Sequence, residues 1–210
     1  MIFETPTTSP IPIVYLPGAL GRSSFWRPVA DRLWHIGAPI VLGYPGFGDV
    51  PTHPEIGSLA DLYDFLLSIL PPRFMLVGQS MGNVLALRMA IEHPDRIEKL
   101  VLCAVTGGID VQAHGGEQWR VDLTAEQPSL PNWFVDDRSD FTGQLAEIRI
   151  PTLILSGTAD PLSPVPVGEF LRNRLPSAEL HVLPNGTHSM AYDAPDRVAA
   201  VILEFLTNIP

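Results

Sequence analysis

Cysteine is almost missing from this 210-residue chain: the single Cys103 has no partner for an internal disulfide and forms no thiolate cluster for a metal. It lies inside KLVLCAVTG, a strand-like apolar run, and reads as a small core residue. Basic residues are also scarce, with 13 Lys and Arg against 23 Asp and Glu and a net charge of −10. A nucleic-acid partner needs clustered cations on one face, so that class is excluded. No apolar run approaches the roughly 20 residues of a spanning helix, so no membrane span is expected. The opening MIFETPTTSP has neither the basic start nor the apolar stretch of a signal peptide, which makes a cytoplasmic address the default expectation. Internal repeats and low-complexity blocks are absent too; the 22 prolines and 17 glycines are dispersed along the chain.

What the chain does have is apolar content, 46% of its residues, enough for one domain spanning 1–210 with a substantial core. Strand-length apolar runs occur at IPIVYLPG (11–18), APIVLGYP (38–45), RFMLVGQ (73–79), KLVLCAVT (99–106), IPTLILSG (150–157) and AELHVLP (178–184). Segments with helical period separate them. Ser58 and Asp61 form a capping pair ahead of a stripe of Leu59, Leu62, Phe65, Leu66 and Ile69. The last helix starts near Asp193 and Pro195 and carries Val198, Val201, Ile202, Phe205 and Leu206 on one face. The alternation predicts an α/β fold: an open, mostly parallel sheet of about six strands with helices on both faces. Residues 107–147 interrupt it with polar, irregular sequence containing Trp119, Trp133 and Phe134, and read as a short cap or lid insertion.

Between the third strand and the next helix stands GQSMG, residues 78–82. A strand that reverses into a helix within so few residues forces its tip residue into a strained conformation. Side chains at 78 and 82 would collide with neighbours, which is why glycine is favoured there. Ser80 would then stand clear of the sheet edge, next to a helix N-terminus. A serine hydroxyl is a weak nucleophile and needs a base oriented by a third group. Of the six histidines, His93 falls at a helix end, His181 within a strand, His35 after an early helix and His53 in a proline-containing loop. His114 lies in the insertion and is a candidate for lid or substrate contact. His188, in LPNGTHSM, follows the last strand, at the sheet edge where chemistry collects in open α/β folds. Asp160 follows the fifth strand and completes the order Ser, Asp, His that accompanies this elbow. The backbone N–H groups of Met81 and Ala19 are the candidate oxyanion donors, with Gly18 letting the chain bend close.

Together LPGALG, GYPGFGD, GQSMG, HPDRIEKLVL, IPTLILSGTADPLSP and LPNGTHSM resemble, in this order, the α/β-hydrolase superfamily over essentially the whole chain. The resemblance implies a serine hydrolase fold with a reduced cap. The chain departs from common relatives at Pro17-Gly18, where His-Gly is frequent, at Gly43-Tyr44, where Asp often precedes the PG-x-G segment, and at Asn83, where a second glycine is usual. Dehalogenases and epoxide hydrolases of this fold carry Asp at the elbow, and Ser80 argues against both.

The leading reading is a hydrolase cleaving an ester or thioester through an acyl-enzyme on Ser80. Phe25, Trp26, Phe47, Trp133, Phe134 and Met190 are candidates to line an apolar acyl pocket. The substrate is a small acyl compound, and no metal or organic cofactor is implied. A C–C bond hydrolase or lyase using the same triad is the alternative, with Arg22 or Arg120 holding a substrate carboxylate. A triad-retaining ligand-binding protein is the third reading.

Overall fold

The computed structural model describes residues 11–48 and 50–208. The stretch MIFETPTTSP, read above for its lack of a signal-peptide pattern, lies outside the described residues, as does Asp49. The elements in chain order are β1 (Ile13–Leu16), α1 (Arg27–Leu33), β2 (Pro39–Val41), α2 (Leu59–Ile69), β3 (Phe74–Gln79), α3 (Gly82–Glu92) and β4 (Ile97–Cys103). They continue with α4 (Arg120–Glu126), α5 (Trp133–Asp136), β5 (Thr152–Gly157), α6 (Val165–Arg174), β6 (Ala178–Leu183), α7 (Met190–Asp193) and α8 (Pro195–Thr207).

All six strands run parallel in the order β2-β1-β3-β4-β5-β6. Successive side chains of a strand point to opposite faces, and each face feeds its own apolar layer. Val14, Leu16, Leu76, Leu100, Leu102 and Ile154 pack under α2, α3 and α6. Ile13, Tyr15, Val77, Val101, Cys103, Leu153 and Leu155 pack under α1, α7 and α8. Burial on both faces explains why these strands read as nearly continuous apolar runs.

The helix ends follow local chemistry. The Ser58 hydroxyl accepts from the Asp61 N–H at 3.1 Å, and Asp61 accepts in turn from the Ser58 hydroxyl and the Gly57 N–H. At the far end of α8 the Lys99 ammonium, reaching out from β4, donates to the carbonyls of Phe205, Leu206 and Asn208, supplying acceptors at a helix end with donors they otherwise lack. Helix α3 is buried nearly all round, as its composition predicts. Among the described residues no helix is long and apolar enough to cross a membrane.

Two expectations are refined. The fourth strand ends at Cys103 and not at Thr106, because Ala104 takes a left-handed φ of 48° that turns the chain out of the sheet. The 107–147 segment also holds helices, including α4 and α5, of seven and four residues. Strand order reverses between β1 and β3, whose following helices cover opposite faces, and a crevice opens there at the carboxyl edge.

Candidate active site

Ser80 sits at the tip of the β3–α3 turn with φ of 53°, a conformation that is strained for any residue but glycine. Its neighbours explain how the turn is held. A Cβ at Gly78 would lie 2.5 Å from Asn83 Oδ1, and one at Gly82 would lie 2.3 Å from the Pro17 carbonyl oxygen. Gly82 is therefore required by its close approach to backbone, while a side chain at 78 would displace the Asn83 amide. The Ser80 N–H donates to the Cys103 carbonyl at 3.0 Å. The buried Asn83 amide donates to the carbonyls of Ser80 and Cys103, each at 3.0 Å, and clamps the elbow to the end of β4.

The three chemically matched side chains meet. His188 Nε2 lies 2.9 Å from Ser80 Oγ, and its Nδ1 lies 3.0 Å from each oxygen of Asp160. Asp160 is 3% exposed, and its Oδ1 also accepts from the backbone N–H groups of Leu162 and Ser163. A carboxylate held this way accepts from Nδ1–H, which leaves Nε2 as the acceptor facing the serine. The loops carrying acid and base pack glycine against glycine: a Cβ at Gly157 would fall 2.1 Å from the Gly186 carbonyl oxygen. Burial pushes the Cys103 thiol far up, with the nearby Asp160 charge adding to it, so the only cysteine is no rival nucleophile.

A cavity of about 580 Å³ opens over Ser80 and His188, floored by Pro17, Gly18 and Ala19 and walled by Trp119 and Leu123 of the inserted segment. Among the described residues, neither the Met81 N–H nor the Ala19 N–H has a hydrogen-bond partner. Its rim carries Glu117, Asp122, Glu126 and Asp193 against the single cation Arg22.

Of the expected pocket side chains, Phe25 lines this cavity. The structure places the other five elsewhere. Trp26 is fully buried beneath α1, its indole N–H donating to the Leu16 carbonyl at 3.0 Å. Phe47 packs in an aromatic group with Tyr44, Trp133 and Phe134. Met190 is buried in the layer under α7 and α8. Arg120 faces a second cavity of about 300 Å³, lies over the Trp119 ring and is pushed down by burial. His114 stacks on Phe170 and lines neither cavity.

Sequence reasoning did not single out Gln79, Thr106 or Tyr192, the last of which lines the cavity over Ser80. Gln79 Nε2 donates to the His188 carbonyl at 3.3 Å, and Thr106 Oγ1 lies 2.7 Å from Ser80 Oγ. Gln79 fills a variable position of the elbow pattern. Thr106 is brought into place by a left-handed turn at Ala104, a residue type that does not announce one.

Comparison with known proteins places this geometry in context. A family profile described as the alpha/beta hydrolase fold matches residues 11–126, and a second, described as the alpha/beta hydrolase family, matches 110–201. The chain is similar to a 2-hydroxy-6-oxononadienedioate/2-hydroxy-6-oxononatrienedioate hydrolase of Burkholderia vietnamiensis, 29% identical over 90% of this chain and 83% of that protein. That alignment runs over 241 positions, more than the chain's 210 residues, so the relative carries residues that this chain lacks. A pimeloyl-[acyl-carrier protein] methyl ester esterase of Legionella pneumophila is 24% identical over 93% of this chain and 95% of that protein. Among solved structures, a thermophilic esterase from Thermogutta terrifontis superposes with a TM-score of 0.76 at 22% identity, covering 95% of this chain and 90% of its own.

Proposed function

Because the chain belongs to the alpha/beta hydrolase family, we propose that it is a serine hydrolase cleaving small esters or thioesters through an acyl-enzyme on Ser80. The observation that carries this reading is the continuous hydrogen-bonded chain from Asp160 through His188 to Ser80. In the first half-reaction Ser80 Oγ attacks the acyl carbonyl while His188 Nε2 takes the hydroxyl proton. Asp160 holds the imidazole in the required tautomer and stabilises the imidazolium. The partnerless N–H groups of Met81 and Ala19 support their assignment as donors to the oxyanion. His188 then hands its proton to the leaving group, and water repeats the sequence on the acyl-enzyme. Trp119, Leu123 and Phe25 would receive the apolar part of the substrate, with residues 107–147 acting as the cap.

The C–C hydrolase reading is weaker on electrostatic grounds. The Burkholderia relative is named for dienedioate substrates, which bear two carboxylates. In this chain such a substrate would meet Glu117, Asp122, Glu126 and Asp193 at the rim with Arg22 as the one cation there to hold a carboxylate, while Arg120, the other candidate, faces the second cavity. The rim favours neutral or cationic substrates.

The test is labelling with a fluorophosphonate probe, with the modified peptide located by mass spectrometry and aryl esters assayed in parallel. Modification confined to Ser80, lost in His188→Ala, with turnover of acetate esters, supports the proposal. A folded protein that neither labels nor turns over esters would bring the ligand-binding reading forward.

A further inference from the structure

The nucleophile has a second close partner. Thr106 Oγ1 lies 2.7 Å from Ser80 Oγ, and both side chains are buried, at 4% and 7% exposure. The proton positions follow from the groups around them. His188 Nδ1–H is committed to Asp160, so Nε2 has no proton. It faces the Ser80 hydroxyl at 2.9 Å and the Gln79 amide at 3.4 Å, and the shorter contact makes the Ser80 hydroxyl its principal donor. That uses the one hydrogen Ser80 owns. The hydrogen between the two hydroxyls is therefore Thr106's, and Ser80 Oγ accepts it. Among the described residues Thr106 Oγ1 has no other hydrogen-bond partner.

The backbone is shaped to make this contact. Ala104 turns the chain out of β4 with φ of 48°, and its N–H is tied to the Leu155 carbonyl at 3.0 Å. A non-glycine residue held left-handed marks a conformation that its surroundings impose. Gly107 then lets the chain lie against the elbow, since a Cβ there would fall 2.5 Å from Met81 Sδ and 2.6 Å from Val84 Cγ2. Ser80 and Ala104 are thus left-handed residues that each follow directly on one of two paired strands, β3 and β4.

We propose that Thr106 is a fourth catalytic group, donating a hydrogen bond to Ser80 Oγ throughout the cycle. The inference rests on Ser80 being the nucleophile. Its effect is largest when the acyl-enzyme breaks down. Water adds to the acyl carbon and its proton passes to His188 Nε2. The carbon–Oγ bond then breaks, its electron pair moves onto Oγ, and His188 returns the proton to Oγ. Thr106 transfers no proton; its O–H holds the departing oxygen while charge develops there. Acylation passes through the same bond in reverse and benefits likewise. Thr106 does not line the 580 Å³ cavity, so initial substrate binding does not depend on it.

The experiment is pre-steady-state hydrolysis of p-nitrophenyl acetate by wild type, Thr106→Val, Thr106→Ala and Thr106→Ser, with fluorophosphonate labelling of each. Thr106→Val should slow the deacylation phase by about 10- to 100-fold, the range for a hydrogen bond to a charged group. The acylation phase should slow as well, while the substrate dissociation constant from the burst stays constant. Thr106→Ala should match it, and Thr106→Ser, which keeps the hydroxyl, should recover most of both rates. Wild-type rates in either folded hydroxyl-less variant would overturn the proposal. A serine variant as slow as the valine one would also overturn it, by assigning the effect to packing. A wild-type protein without burst or labelling at Ser80 would instead sink the nucleophile reading, a failure visible before any variant is made.

Discussion

The side-chain amide of Asn83 bridges two backbone carbonyls, Ser80 O and Cys103 O, at 3.0 Å each. The first belongs to the strained elbow and the second to the strand beside it, so one buried amide fixes the nucleophile's backbone relative to the sheet. Both carbonyls keep a backbone donor without it, the Asn83 N–H for Ser80 and the Ser80 N–H for Cys103. Asn83→Ala should therefore fold but lose about 1–3 kcal/mol in urea unfolding, the cost of removing a buried hydrogen-bonding side chain. Fluorophosphonate labelling of Ser80 should slow in parallel. Unchanged stability and labelling would show that the backbone bonds alone hold the elbow.

By its resemblance the elbow is expected to be followed often by a second glycine, and Asn83 is legible in the sequence as a departure without its purpose being so. The same split runs through the site. Ser80, Asp160 and His188 could be found because each follows an apolar strand run at an edge that the alternation of elements identifies. Thr106 could not, since its position depends on the sign of φ at Ala104, and alanine gives no signal for a left-handed turn. Trp26, Phe47, Phe134 and Met190 are apolar side chains near the right loops, yet whether an aromatic fills the core or faces a cavity is decided by packing between distant segments. Helices α4 and α5 are too short for periodicity to emerge within them.

Asp160→Asn separates orientation from fold. The amide oxygen can still accept from Leu162 and Ser163, which now bond Asp160 Oδ1, so the loop should stay in place. Its NH2 would instead face His188 Nδ1 and force the proton onto Nε2, removing the base. The expected result is a kcat about 10³- to 10⁴-fold lower at a similar KM. A melting temperature close to wild type confirms the intact fold. A loss below tenfold would mean that another group orients His188.

Gly82 is the tightest point between the elbow and the loop after β1. A Cβ there would meet the carbonyl oxygens of Pro17 and Leu16 at 2.3 and 2.9 Å, and backbone cannot swing aside as a side-chain tip can. Gly82→Ala should cost about 1–3 kcal/mol or more from overpacking, with activity falling as Gly18 and Ala19 shift. Gly143 is the control, because a Cβ there meets nothing within 4 Å. Gly143→Ala should leave both thermal melting and activity near wild type, and equal losses in the two variants would refute the close-approach argument.

Charge at the cavity mouth makes the last prediction. Glu117, Asp122, Glu126 and Asp193 outnumber Arg22, and Glu117, Asp122 and Glu126 are exposed. Each is therefore screened by water and contributes little on its own to a charge a few ångströms away. Their sum should still separate acetate esters that differ only in the charge of the alcohol. The trimethylammonium and neutral esters should exceed the carboxylate one in kcat/KM by about tenfold, a difference of about 1.4 kcal/mol. The gap should shrink in 1 M salt, where the screening length falls to about 3 Å. Asp122→Asn combined with Glu126→Gln should narrow it at low salt without altering hydrolysis of the neutral ester. If the anionic ester is cleaved as fast as the cationic one at low salt, the rim does not select substrates, and a carboxylate-bearing substrate becomes the better candidate.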